Sequence, residues 1–252
     1  MKIRKILSSF YYKNFIRINE KTFKVNEELD LHYIFRGGGV GEKTEKLIVS
    51  FSGFAGIYQR GKYNYIRSLS KSKHCRLFIR DDFGFQKVGS YYLGDNCMVY
   101  KHSGVEKLIQ QIGNFSDRET VFIGSSKGGT SALFYGILMG ANKIVIGSPQ
   151  YRVGRYLQKN EYHKEILNSI IDEPHGFNVD WLNSMIDYAM DKNQYTGKVI
   201  IVYSSKEDGY LEDILPLIRS IKAHGIEIEC HDELFQDHSQ IGMFFSKYLL
   251  DL

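Results

Sequence analysis

"TVFIGSSKGGTSALFYG" (residues 120–136) runs from an apolar, β-branched stretch through two adjacent serines set among glycines. A serine at the end of a strand becomes a usable nucleophile when a sharp turn into a helix lifts its hydroxyl clear of the backbone. Such a turn brings the residues two before and two after it against neighbouring chain, so both must be small. Around Ser125 those positions are Ile123 and Lys127, which are bulky; around Ser126 they are Gly124 and Gly128. Ser126 therefore satisfies G-x-S-x-G and Ser125 does not. Gly129 and the small run Thr130, Ser131 and Ala132 allow the following helix to pack closely. A Walker-type phosphate loop is excluded, because the G-K-[ST] ending is missing.

Working outward, strand-like runs alternate with helical patterns. The strand runs are "KLIVSFSG" (46–53), "CRLFIRDD" (75–82), "TVFIGSS" (120–126), "KIVIGSP" (143–149), "KVIIVYSS" (198–205) and "IEIECHDE" (226–233). Several lack polar alternation, as expected of strands covered on both faces. Helical patterns fall at 64–72, 104–115, 129–142, 211–225 and 239–252. Repeated β-then-α predicts an α/β fold, a mostly parallel sheet between helical layers. Ahead of it, "KTFKVNEELDLHYIFRGGG" (21–39) predicts an antiparallel hairpin turning near Glu28. Two connections are too long to be turns. One follows "CRLFIRDD"; the other, about residues 149–197, carries two helical patterns and is expected to form a cap over the site.

The 252 residues can bury one large core or two small ones, and are read as one domain, 1–252. The composition, 43% hydrophobic and 25% charged, is that of a soluble globular protein. The net charge of +4 is spread without a basic arm or stripe, which argues against a nucleic-acid partner. Cys75, Cys97 and Cys230 have neither zinc-site nor disulfide-framework spacing. The opening "MKIRKILSSFYYKNFIR" is broken by Lys13 and Arg17 and lacks a signal-peptide cleavage site, and no apolar run reaches bilayer length. The expectation is a cytoplasmic protein without an integral membrane segment. No metal or cofactor is called for: the histidines show no ligand spacing. His163 and His175 are expected on the surface of the cap, where they could touch substrate.

Sheets of this kind place ligands beyond the carboxyl ends of their strands, and a strand-to-helix nucleophile requires an acid and then a histidine from later strand ends. "KVIIVYSSKEDGY" ends in Glu207 and Asp208. Either carboxylate can orient a histidine; Asp208, shorter and followed by Gly209, is preferred for a fixed hydrogen bond to a ring N–H. The base is His238 in "QDHSQ" (236–240), since His231 lies within the strand run and His224 on the preceding helix. One oxyanion donor is the backbone N–H of Lys127; the second is the N–H of Phe54 or Gly53 in "SGFAG" (52–56), where Ala55 and Gly56 are also small.

With "GSSKGG", "SGFAG", "SSKEDG" and "QDHSQ" in this order, the chain from about Lys46 onward resembles the α/β-hydrolase superfamily. That resemblance implies Ser126 as nucleophile, His238 as general base and acid, Asp208 as its orienter, and the Lys127 and Phe54 amides as oxyanion hole. "RDDFGFQKVGSYYLGDN" (80–96) resembles a segment of bacterial XcbB/CpsF-type capsular polysaccharide synthesis proteins. It is also similar to a segment of the glycan-acetylating component of the accessory Sec secretion system. This likeness implies acyl chemistry on surface glycans, with polysaccharide-synthesis or secretion partners. Within the segment, Arg80, Asp81, Asp82 and Asn96 offer hydrogen-bonding groups for sugar hydroxyls, and Tyr91 and Tyr92 offer faces for stacking. The alternative is that the tyrosines seal the loop onto the core. The resulting expectation is a serine esterase or O-acyltransferase working through an acyl-enzyme on Ser126. The competing one is a glycan- or partner-binding protein on the same scaffold.

Overall fold

The computed structural model describes residues 12, 14–37, 46–55, 59–250 and 252. The expectations for Gly56 and for most of the N-terminal 17 residues lie outside the described residues. Eight strands form one sheet: β1 (Lys21–Lys24), β2 (Asp30–Arg36), β3 (Lys46–Phe51), β4 (Cys75–Arg80), β5 (Glu119–Ser125), β6 (Lys143–Gly147), β7 (Lys198–Tyr203) and β8 (Glu227–Asp232). Their order is β1-β2-β4-β3-β5-β6-β7-β8. β2 pairs antiparallel with both β1 and β4, and every other pairing is parallel. The predicted hairpin is thus the antiparallel edge of a parallel sheet.

The strand runs lack polar alternation because both faces are covered. Along β3, Leu47, Val49 and Phe51 enter one core, with Leu77 and Ile79 of β4, Phe122 of β5 and Ile144 and Ile146 of β6. Ile48, Phe78, Val121, Ile123 and Val145 point the other way into a second core. The period of two survives inside a continuous apolar run. The longer helices are α1 (Gly104–Gly113), α2 (Lys127–Met139), α3 (Glu161–Ile170), α4 (Val179–Lys192) and α5 (Leu215–Ala223). The first core is closed by residues of α1–α5, and the second partly by the short Ile241–Phe245 helix. This is a three-layer α/β sandwich. No helix among the described residues is long and apolar enough to cross a membrane.

Two expectations change. Residues 64–72 form turns rather than a helix. Serines at 68, 70 and 72 favour local bonding over helix, and the Ser70 hydroxyl donates to the Arg67 carbonyl at 2.7 Å. The 149–197 insertion also divides in two. Its first part, through α3, borders the cleft described below, whereas α4 lies on α2 and buries Leu182, Met185, Ile186 and Ala189 in the first core.

The site depends on the tight passage from β5 into α2. A Cβ on Gly124 would lie 2.1 Å from the Gly128 carbonyl oxygen, and one on Gly128 would lie 2.5 Å from that of Phe51. Gly209, at φ −74° and with nothing within 4 Å of a built Cβ, tolerates a side chain. Gly124→Ala is therefore expected to cost about 3 kcal/mol in urea unfolding, with Gly209→Ala within about 0.5 kcal/mol of the parent.

Candidate active site

Ser126 caps α2 with φ 53° and ψ −130°, a conformation that non-glycine residues rarely adopt. Its amide donates to the Gly147 carbonyl at 2.7 Å, and its own carbonyl receives the Gly129 and Thr130 amides. Neighbouring Ser125 is 5% exposed, and its hydroxyl shares a hydrogen bond with the Tyr65 phenol, which burial pushes up to about 12. Of the paired serines, only Ser126 turns its hydroxyl toward the histidine.

His238 begins a short 3-10 turn after β8. The turn is fixed by a reciprocal cap: Asp237 accepts from the Ser239 amide at 2.8 Å, and Gln240 accepts from the Asp237 amide at 3.2 Å. His238 Nε2 lies 2.9 Å from Ser126 Oγ, and Nδ1 lies 2.9 Å from Glu207 Oε2. A carboxylate only accepts, so Nδ1 carries the proton, and Nε2 is left to accept from the serine hydroxyl. The Glu207 side chain is 2% exposed, and its other oxygen accepts from the Ser148 hydroxyl and the Ser204 amide.

The carboxylate bonded to the His238 ring is thus Glu207 and not the preferred Asp208. The turn after β7 bonds the Glu207 amide to the Ser204 carbonyl and the Tyr210 amide to the Glu207 carbonyl. It sends residue 207 inward and leaves Asp208 exposed. Direction of the chain, not side-chain length, decides between the two.

The Lys127 amide is the first N–H of α2 and so lacks an intrahelical acceptor. Opposite it, the loop after β3 commits the Ser52 amide to the Tyr92 phenol oxygen (2.6 Å) and the Ala55 amide to the Val88 carbonyl (3.1 Å). The amides of Gly53 and Phe54 remain as candidate donors, on residues that border the same cleft as Ser126.

The segment expected to bind sugar holds that loop instead. Asp81 and Lys127 are fully buried and pair at 2.6 Å. Asp81 also accepts from the Ser90 and Tyr92 amides, each at 2.9 Å. Burial pulls the Lys127 ammonium below its ordinary value, and Asp81 opposes that shift. The ammonium sits 4.7 Å from the Tyr92 ring centroid and 5.6 Å from that of Phe54. Tyr92 donates to the Ile79 carbonyl, and the Tyr91 ring meets Phe54 edge-on at 5.4 Å. Burial raises both phenols, so they remain protonated donors. Arg80 bridges Glu20 and Asp82, and Asn96 is exposed in the Asp95–Cys97 turn. None of Arg80, Asp81, Asp82, Tyr91, Tyr92 and Asn96 borders the cleft at Ser126. Tyr91 and Tyr92 seal the loop onto the core: both rings are fully buried, and their hydroxyls bond to Gln150 and to Ser52 and Ile79.

The cleft, about 660 Å³, is floored by Ser126 and His238 and walled by Phe54, Val88, Tyr156, Tyr162, Ile166 and Ile241. A second cavity of about 230 Å³ lies across His238, among Gln150, Lys159, Asp208, Asp213 and Gln236, and shares Tyr156 with the first. His163, expected on the surface, lines the cleft beside the rings of Phe54 and Tyr156, and burial lowers its pKa. His175 is exposed and pairs with Asp172. Sequence reasoning missed Gln150, whose side-chain amide nitrogen lies 2.9 Å from Ser126 Oγ. The available signal was its place at the carboxyl end of β6, the neighbour of β5.

The strand order, the strand-to-helix serine and the histidine after the last strand define an α/β-hydrolase-like fold. Among solved structures it is similar to the capsule O-acetyltransferase of Neisseria meningitidis serogroup A, with TM-score 0.74 and 22% identity over 90% of this chain and 91% of that one. It is also similar to a chain of the glycosylation-associated Gap123 complex from Streptococcus agalactiae, with TM-score 0.62 and 16% identity over 91% of this chain and 45% of that one. A third is FphF, a fluorophosphonate-binding serine hydrolase of Staphylococcus aureus, with TM-score 0.58 and 14% identity over 91% and 95%. No protein-family model matches the chain, and no curated protein matches it.

Two predictions follow from this geometry. Glu207→Gln slows labelling of Ser126 by a fluorophosphonate by about 10²-fold or more, because an amide can hold the wrong imidazole tautomer, while Asp208→Asn labels at the parent rate. Asp81→Asn leaves a buried ammonium unpaired, and is expected to cost about 3–5 kcal/mol in urea unfolding.

Proposed function

We propose that the protein is a serine-dependent O-acyltransferase that carries an acyl group on Ser126 and delivers it to a hydroxyl of a bacterial surface glycan or its precursor. The observation that carries this reading is the continuous hydrogen-bond chain Ser126–His238–Glu207, whose serine and histidine line a cleft that Gly53 and Phe54 also border. In the first half-reaction the Ser126 oxygen bonds to the acyl carbonyl carbon while its proton passes to His238 Nε2. The carbonyl oxygen gathers charge against the backbone amides, and the leaving group departs with the proton from the imidazolium. In the second, a sugar hydroxyl gives its proton to His238 and bonds to the acyl carbon, and Ser126 leaves and is reprotonated. Water in the same position would make the protein an esterase.

Transfer is favoured over hydrolysis by the presence of two cavities that meet at His238, one bordered mainly by aromatic and aliphatic side chains and one that includes Gln150, Lys159, Asp208, Asp213 and Gln236. The likeness to a capsule O-acetyltransferase, one form of which was solved in complex with CoA, supports a thioester donor and a glycan acceptor here. A scaffold kept for binding alone would have no use for a buried Glu207 held by Ser148 and Ser204.

The test is consumption of a chromogenic acetyl ester with and without a capsular oligosaccharide, with mass analysis of the sugar. The expected result is acceptor-stimulated turnover and acetylated sugar, with Ser126→Ala slower by about 10³-fold or more yet folded. Turnover that persists in Ser126→Ala would contradict the reading. Equal turnover without acceptor, and unmodified sugar, would make the enzyme an esterase.

A further inference from the structure

The hydrogen-bond chain does not begin at Ser126. Glu207 can only accept, so His238 donates from Nδ1, and Ser126 spends its single proton on Nε2. The Gln150 group 2.9 Å from Ser126 Oγ must then be the NH₂, donating into a serine lone pair. That sets Gln150 Oε1 toward the Tyr91 hydroxyl at 3.4 Å, which donates to it. The donors run one way, from Tyr91 through Gln150, Ser126 and His238 to Glu207. Gln150 is 3% exposed, and its main chain is clamped on both sides by the Thr130 hydroxyl, one helical turn beyond the nucleophile. Its amide is held in place by this framework, with little freedom to drift.

We propose that Gln150 is a further catalytic residue, a hydrogen-bond donor to the nucleophilic oxygen itself, and that Tyr91 is the positioning residue that keeps its amide the right way round. The proposal rests on Ser126 being the nucleophile. As the proton leaves for His238, Oγ gains negative charge until its bond to the acyl carbon is complete. It gains charge again when that bond breaks in the second half-reaction. The ester oxygen of the intervening acyl-enzyme is a poor acceptor. The Gln150 N–H therefore stabilises both transition states more than the intermediate between them, which is the condition for accelerating each step. Gln150 itself forms and breaks no covalent bond.

The experiment compares second-order rates of fluorophosphonate labelling, read by intact-protein mass, in the parent, Gln150→Leu, Gln150→Glu and Tyr91→Phe, with thermal melting as the control for folding. Gln150→Leu is expected to label about 10²-fold more slowly, and Tyr91→Phe several-fold more slowly. Gln150→Glu places a carboxylate by the imidazolium and removes the N–H donor. It is expected to move the acid limb of the pH–rate profile upward by about one unit, which reports that residue 150 lies beside the imidazole, and to label as slowly as Gln150→Leu on the plateau, which reports loss of the donor. Folded Gln150→Leu that labels at the parent rate, or an unmoved limb in Gln150→Glu, would overturn the proposal. If Gln150→Leu does not fold, Tyr91→Phe decides, and a parent-like rate there overturns it. A parent protein that is not labelled at all contradicts the assignment of Ser126, a separate outcome.

Discussion

A single methyl group at position 124 would put its carbon 2.1 Å from the Gly128 carbonyl oxygen. This steric limit governs the rest of the molecule's chemistry. It allows β5 to turn into α2 within one residue, and the cost of that turn is carried at Ser126, in a conformation that exposes its hydroxyl. The Ser126 amide is tied to the carbonyl of Gly147, so Ser126 is referenced to β6 as well as to its own strand and helix. Every other element of the site is placed relative to this turn.

A buried framework supports it from below. Replacing a buried ion pair by apolar groups is often neutral or stabilising, so the Asp81–Lys127 pair is not explained by stability alone. Its geometry is more informative. Lys127 supplies the backbone amide next to Ser126, and its ammonium lies among Asp81, the Tyr92 ring and the Phe54 ring. Tyr92 then fixes Ser52 and Tyr91 packs on Phe54. One cluster thereby joins the turn at Ser126, the loop that carries Gly53 and Phe54 and the chain after β4. That is how the backbone amides on two separate segments are kept at a constant separation, as the proposed reaction would require.

Much of this was legible in the letters. The strands could be read because both of their faces are covered and their runs are apolar throughout, and Ser126 could be chosen over Ser125 because bulk at 123 and 127 forbids the turn. His238 followed from chain order. The choice of Asp208 over Glu207 failed because it depended on the path of a four-residue turn, which adjacent carboxylates do not reveal. The segment 80–96 misled for a different reason. Its charges and tyrosines have the composition of a sugar-binding surface, and only the three-dimensional structure shows that Asp81, Asp82, Tyr91 and Tyr92 are buried. Gln150 carries no local signature; its contact with Ser126 exists because parallel strands β5 and β6 end side by side.

The central physical claim is that one imidazole is bonded at the same time to Ser126 and to Glu207. The most direct measurement is the proton NMR spectrum below the amide region, where an Nδ1–H shared with a carboxylate resonates far downfield. The account predicts such a resonance, retained in Asp208→Asn and lost in Glu207→Ala. Its survival in folded Glu207→Ala, or its loss in Asp208→Asn, would contradict the account.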